Sequence, residues 1–169
     1  MRLADVLFAF PALILGLLMA AILPPGNFGV VTVISTATLP LFVRVVRSVS
    51  LSLSERGFII AAEIAGASRT RVMFVHLLPN IAGAVLIQLT YALSVGMVIE
   101  SALSFLGLGV QPPLASLGSL LRTGALYLTI APWMVFSAGI VLSIAIMSIN
   151  LLGDGLRDLL DPLQMRSLR

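Results

Sequence analysis

Side chains that could carry out chemistry are few and scattered in this sequence. The 169 residues include one histidine, His76, no cysteine and seven carboxylates. No nucleophile stands beside a base and no glycine-rich phosphate loop occurs. One histidine without cysteines also leaves no metal-binding cluster. We therefore expect no catalytic residue, no metal and no cofactor, and a protein that is not itself an enzyme.

Glu100 is the carboxylate in the least ordinary position, because it follows a long uncharged run from 81 to 99. A carboxylate within a membrane span costs about 2.5 to 3.5 kcal/mol on insertion scales. Its side chain would either face a pathway and meet a cationic group, or it would lie at the membrane interface or bond Ser101 and Ser104. Both interpretations stay open, and Glu100 is kept as a candidate pathway residue.

The composition indicates the environment that must position these residues. Hydrophobic residues make up 59% of the chain and charged residues only 10%, whereas a soluble domain typically carries about 25% charged residues. All basic residues are arginines, and they neither cluster nor alternate with aromatics as a nucleic-acid surface would require. Membrane lipid is the expected surrounding, and nucleic acid is not an expected partner.

Four apolar stretches are predicted to cross the membrane, because a helix needs about 20 such residues to do so. The prolines and glycine at 24–26 break the first stretch, and Gly153-Asp154-Gly155 is predicted to end the fourth. Small residues at Gly83, Ala84, Ser94 and Gly96 permit close helix contact or line a pore. The fold class is therefore all-α, a polytopic membrane protein of one domain, with spans at about 6–23, 28–47, 76–100 and 130–152.

The arginines predict the orientation of these spans. If Arg2 is cytoplasmic, four crossings place every arginine except Arg122 on the cytoplasmic side, as the positive-inside rule favours. The segment 48–75 is then a cytoplasmic loop and 153–169 a cytoplasmic tail. The segment 104–126, rich in Gly, Pro and Ser, is predicted to be an outer loop with a short helix.

The cytoplasmic loop has the composition of two short helices. Residues 55–65 are rich in helix formers, Gly66 supplies a sharp break and Ser68 a possible N-cap. Apolar residues such as Phe58 are mixed with charges such as Glu63, which suits insertion into the groove of a partner. The same pattern is compatible with a solvated connector that covers helix ends.

The order of residues in this loop is informative. Ala61-Ala62 is followed after three residues by Gly66, after nine more by His76, and then by Leu78-Pro79. This order resembles the signature loop of binding-protein-dependent ABC importer permeases, the segment that docks on the ATPase subunit. The stretches 2–11 (RLADVLFAFP), 103–113 (LSFLGLGVQPP) and 150–162 (NLLGDGLRDLLDP) are similar to the second-permease subunit of its dipeptide, oligopeptide and nickel branch.

The resemblance implies a multi-pass permease of a bacterial or archaeal plasma (inner) membrane that imports a solute by alternating access. The implied partners are ATPase subunits, a second permease subunit and an extracytoplasmic substrate-binding protein. Di- or oligopeptides are the expected substrate, although nickel or another small solute stays open. Arg69 and Arg71 would either pair with acidic ATPase residues or only anchor the helix ends. The implied ATPase-coupling residues are Ala61, Ala62, Glu63, Gly66, Arg69, Arg71 and Pro79.

Two departures from the family pattern leave alternatives open. Ile60 stands where the pattern usually has Glu, and Glu63 is offset from it by about 60° around a helix. The chain also begins where the third of six family helices would begin, so we expect it to lack the first two helices. The expected explanations are a fragment, a misassigned start or a truncated gene. The alternatives are a truncated permease that does not transport, and a membrane scaffold or channel that works without ATP.

Overall fold

The computed structural model describes residues 11–160, and within them every regular element is helical. A short π-helical stretch, Val72–Leu77, lies inside the fourth helix. This confirms the predicted all-α fold. The helices are α1 (Ala12–Ile22), α2 (Asn27–Ser54), α3 (Gly57–Ile64), α4 (Arg69–Phe105), α5 (Leu117–Leu126) and α6 (Trp133–Leu160).

Three of these helices, α2, α4 and α6, are long and apolar enough to cross a membrane. Only 22%, 17% and 6% of their most apolar windows are buried inside the chain, in that order. Large apolar side chains therefore cover their outer surfaces and require lipid or protein around them. The predicted first span, 6–23, begins outside the described residues, and α1 covers Ala12–Ile22 of it.

The chain divides into two compact units. The first consists of residues 11–40 and 92–150. Its core joins α1, the start of α2 and the end of α4 through four buried side chains. Gly16 permits the close approach, because a Cβ there would lie 3.1 Å from Cγ1 of Val33. The four core residues are Ala20, Val33, Ile99 and Leu103.

Helix α5 belongs to the same unit and begins at a capping box. The Ser116 hydroxyl accepts the Ser119 N–H, and the Ser119 hydroxyl accepts the Ser116 N–H. Gly118 lies against the backbone of Ser101, where a Cβ would collide with the Ser101 carbonyl. The first turn of α5 is thus held next to the last turns of α4.

The second unit consists of residues 41–91 and 151–160. Helix α3 packs on the start of α4, and Ile59 and Val72 are buried there. The end of α6 contacts α4 through Gly153, since a Cβ there would collide with the side chain of Thr90.

Three helices have other bounds than the sequence suggested. Helix α6 continues through Gly153 and Gly155 to Leu160, because both glycines keep a negative φ and the first packs on Thr90. Helix α2 continues past the predicted loop start to Ser54, since 48–54 lacks proline and glycine. The second predicted short helix is the first turns of α4, which Ser68 caps.

Candidate functional site

The segment that follows α2 folds into a short helix closed by a tight turn. Helix α3 ends at a Schellman motif, in which Gly66 N–H donates to Glu63 C=O (2.9 Å) and Ala67 N–H donates to Ala62 C=O (3.1 Å). Gly66 has φ 81°, a conformation that glycine adopts without a steric penalty. The predicted reversal at Gly66 is therefore present, and Ser68 is the predicted N-cap, accepting from Arg71 N–H at 3.3 Å.

Helix α3 buries one side chain and presents others outward. Ile59 is 1% exposed, whereas Phe58 and Ile60 are each 46% exposed. Glu63 is also exposed. Ile60, which occupies the usual Glu position of the family pattern, and Glu63, the candidate to replace that Glu, therefore both lie on the surface. The other coupling candidates on this segment are mainly exposed, with Ala62 half-buried: Ala61, Ala62, Gly66, Arg69 and Arg71.

A π-helical stretch separates this segment from Pro79. Leu78 N–H donates five residues back to Met73 C=O, which widens the turn. Pro79 has no N–H to continue the ladder. The Asn80 side chain donates to the His76 carbonyl at 2.6 Å and satisfies a backbone acceptor in this stretch. Pro79 is thus exposed on α4 after the π stretch, separate in sequence from the α3 turn.

Glu100 is held by hydroxyl groups near the end of α4. Ser104 Oγ donates to Glu100 Oε1 at 2.6 Å, and Ser101 Oγ lies 3.5 Å from Oε2. Ser104 Oγ also accepts the N–H of Val110 at 3.2 Å, in the connection that follows α4. The serine-bonded arrangement that the sequence offered for Glu100 is therefore present.

The same carboxylate also lines a cavity of about 440 Å³ within the first unit. Its walls come from α2, α4, α5 and α6, and they are apolar apart from Glu100 and two serines. The side chain therefore bonds to serines and also borders a cavity, and its role as a pathway residue stays a prediction. The lining residues are Ile34, Ala92, Leu93, Gly96, Met97, Glu100, Ser101, Ser116, Leu117 and Leu142.

Sequence reasoning missed most of this wall. Ser116 and Leu117 lie in the segment that we predicted only as an outer loop with a short helix. Gly96 was recognised as a small residue, and the structure uses it for close contact, since a Cβ there would lie 3.1 Å from Cγ2 of Ile34. Gly83, from the same set, has open space around it. The presence of a glycine in the sequence does not show whether it packs against another helix or faces open space.

A polar contact joins α4 to α6 in the first unit. The buried Ser94 hydroxyl donates to Asn150 Oδ1 at 2.8 Å, across 56 residues of sequence. Polar side chains that bond across helices are a common means of fixing contacts in membranes. Ser94 thus belongs to a helix contact and does not line the described cavity.

Comparison with known proteins gives relatives along nearly the whole chain. A putative peptide transport system permease protein of Brucella suis is 41% identical over 162 residues, 96% of this chain and 55% of the relative. A di/tripeptide transport system permease protein of Pseudomonas aeruginosa is 40% identical, with 96% and 54% covered. A glutathione transport system permease protein of Salmonella typhimurium is 37% identical, with the same coverage. The chain thus spans about half the length of the curated relatives it matches.

The family model for the binding-protein-dependent transport system inner membrane component matches residues 1–166. That match agrees with the three long apolar helices, which indicate a multi-pass membrane protein. The chain belongs to the family of binding-protein-dependent transport system inner membrane components.

Proposed function

We propose that this chain acts as a transmembrane permease subunit of an ATP-driven, binding-protein-dependent importer of di- or oligopeptides. Family membership supports the class of protein, and the names of three relatives, which include peptide, di/tripeptide and glutathione systems, support the substrate class. The proposed location is the bacterial or archaeal inner membrane, where the subunit works with ATPase subunits, a second permease and an extracytoplasmic binding protein. ATP would be hydrolysed by the ATPase partners.

The observation that carries this proposal is the outward surface of α3. Phe58, Ile60 and the charged Glu63 are all exposed on a helix that ends in a Schellman turn. Exposed apolar side chains on a short helix can insert into a groove on a partner. We assign that groove to the ATPase subunit.

The proposed mechanism passes a displacement from α3 to α4. Ile59 is buried where α3 packs on the π-helical stretch Val72–Leu77. Movement of α3 by an ATPase would therefore push on the base of α4 through a packed contact. Alternating access follows if that push tilts the spanning helices.

Native mass spectrometry of the detergent-solubilised complex, captured through this chain, tests the assembly. We expect this subunit together with a second permease and two ATPase subunits. Detection of the 17.8 kDa chain alone would contradict the proposal and favour a non-transporting permease or an independent membrane protein.

A variant pair tests the role of α3. Phe58→Asp should weaken capture of the ATPase at least tenfold if Phe58 anchors the interface, because loss of such a hot spot costs about 2 kcal/mol or more. Leu126→Asp, at an exposed position on α5, makes the same type of change and should leave capture intact. A scaffold or channel that works without ATP predicts unchanged activity in both variants, provided that both insert normally.

A further inference from the structure

The cavity beside Glu100 has the dimensions and wall chemistry of a small-ligand site. Its volume of about 440 Å³ lies within the range of about 300 to 1,000 Å³ that ligand pockets occupy. Apolar residues such as Ile34, Met97 and Leu142 form most of the wall. In such sites a small number of polar groups fix the orientation of the ligand. Glu100 is the charged group that this wall contains.

The Glu100 carboxylate retains capacity for another donor. A carboxylate offers about four lone-pair sites on its two oxygens. Ser104 takes one on Oε1 at 2.6 Å, and the Ser101 hydroxyl reaches Oε2 only at 3.5 Å. Among residues 11–160, the side-chain partners that the structure gives this carboxylate are both neutral hydroxyls. The serines therefore hold the carboxylate in place without matching its charge.

The surroundings of Glu100 favour an organic cation as its binding partner. Opposite charges attract more strongly beside apolar walls than in water, and a carboxylate within a membrane protein is expected to meet a specific partner. A metal ion would need more ligands, and the described residues hold no group of three or more that could supply them. An ammonium group offers several N–H donors, and an attached apolar group would contact the walls.

We propose that Glu100 binds the ammonium group of an organic amine within this cavity. The identification of that amine as the N-terminus of a short peptide in transit rests on the proposed function. The headgroup of phosphatidylethanolamine carries the same ammonium chemistry and is the other source to distinguish.

Photo-crosslinking tests the proposal directly. The full chain, purified with the subunits that it retains, is placed in vesicles of phosphatidylcholine and phosphatidylglycerol and labelled with photoleucyl-leucine. Labelled segments are located by mass spectrometry. A second probe, N-acetyl-photoleucyl-leucine, has the same apolar groups but no ammonium.

We expect labelling at residues 92–101 or 116–117 by the free-amino probe, and about tenfold less by the acetylated one, since only the free ammonium can form a charge-assisted bond to the carboxylate. Glu100→Gln, which keeps an acceptor for Ser104, should lower free-amino labelling about tenfold and leave the acetylated background unchanged. Asp154→Asn removes an exposed carboxylate elsewhere and should behave as the wild type. Equal labelling by the two wild-type probes, or no effect of Glu100→Gln, would overturn the proposal.

Two additional experiments identify the source of the amine and test the proposed function independently. Vesicles with phosphatidylethanolamine in place of phosphatidylcholine should lower peptide labelling if the lipid headgroup occupies the site, and leave it unchanged if it does not. Uptake of leucyl-leucine is measured separately. If labelling depends on Glu100 but leucyl-leucine is not taken up, the ammonium site is supported and peptide transport is contradicted. If leucyl-leucine is taken up but labelling does not depend on Glu100, peptide transport is supported and the ammonium site is contradicted.

Discussion

Individual glycines in this chain have different structural roles, and their neighbours determine which role each one has. Gly66 adopts a positive φ in open space, whereas Gly153 lies in a regular helix against Thr90. Gly155, two residues later in the same helix, has open space around it. The same residue type thus serves a turn, a helix contact and an exposed helix position, and substitutions at the three sites should differ in effect.

Gly153→Ala should destabilise the protein by about 1 to 3 kcal/mol, the usual cost of overpacking. The new methyl group would collide with Thr90, whose hydroxyl bonds to the carbonyls of Leu86 (3.2 Å) and Ile87 (3.0 Å) and so resists rotation. Denaturant unfolding in detergent, followed by circular dichroism, measures the change.

Gly155→Ala is the matched control and should stabilise α6 by about 0.5 to 1 kcal/mol, because alanine is the better helix former. Adding Thr90→Ala to Gly153→Ala should recover part of the loss. Equal changes in stability for Gly153→Ala and Gly155→Ala would show that the contact with Thr90 does not determine the cost of a side chain at residue 153.

Gly66→Ala should cost about 1 to 2 kcal/mol in the turn after α3, because an L-residue with a positive φ is strained even in open space. The amide of Ala67, which donates to Ala62 in the Schellman motif, should exchange with deuterium faster. Hydrogen exchange mass spectrometry of residues 62–68 measures this loss of protection.

Gly57→Ala, at the start of α3 with open space around it, should leave that exchange unchanged. Unaltered protection in Gly66→Ala would mean that the turn tolerates a side chain. The docking role of the segment would then need a different structural basis.

At the scale of elements, the contact between α4 and α6 depends on both packing and polar bonding. The Ser94 hydroxyl bonds Asn150 in the first unit, and Gly153 contacts Thr90 in the second. Each contact lies within one compact unit. The polar bond is the part that a double-mutant cycle can isolate.

Ser94→Ala and Asn150→Ala should each destabilise the protein, with a coupling energy of about 0.6 kcal/mol, the average for interhelical hydrogen bonds in a membrane. Unfolding of the two single variants and the double variant in the same detergent gives that energy. Ser143→Ala is the control, because within the described residues 11–160 its hydroxyl bonds only the Gly139 carbonyl of its own helix. Additive effects of the two variants would show that the 2.8 Å bond contributes nothing net.

The sequence predicted the helical class and four apolar spans, three of which coincide with the long apolar helices, because uninterrupted apolar runs have few other stable conformations in lipid. It also predicted the reversal at Gly66 and the cap at Ser68, since both are local. It was wrong at Gly153, where contact with a residue distant in sequence outweighed a local stop signal. The cavity beside Glu100 was beyond prediction for the same reason, since its wall combines residues from four helices.

At the scale of the whole molecule, orientation in the membrane is still a prediction, and the absence of cysteine makes it simple to test. The chain contains no cysteine, so a single introduced thiol reports on its own location without background. The positive-inside rule places the loop 48–75, which contains α3, in the cytoplasm and Arg122 on the opposite side.

Ser54→Cys, at the end of α2, should react with a membrane-impermeant maleimide only from the cytoplasmic side. Thr123→Cys, an exposed position on α5, should react only from the opposite side. Labelling of intact cells compared with inverted vesicles measures both. Reaction of both thiols from one side would contradict the predicted number of crossings between them.

The π-helical stretch at Val72–Leu77 also affects how the faces of α4 are numbered. A wider turn contains about one residue more than an α-helical turn, and each residue of an α-helix advances about 100° around the axis. A helical wheel counted from Arg69 therefore places every position after Leu77 about 100° away from its true direction around the helix axis. Residues on α4 that would touch a partner, lipid or solute should be assigned by counting back from Phe105.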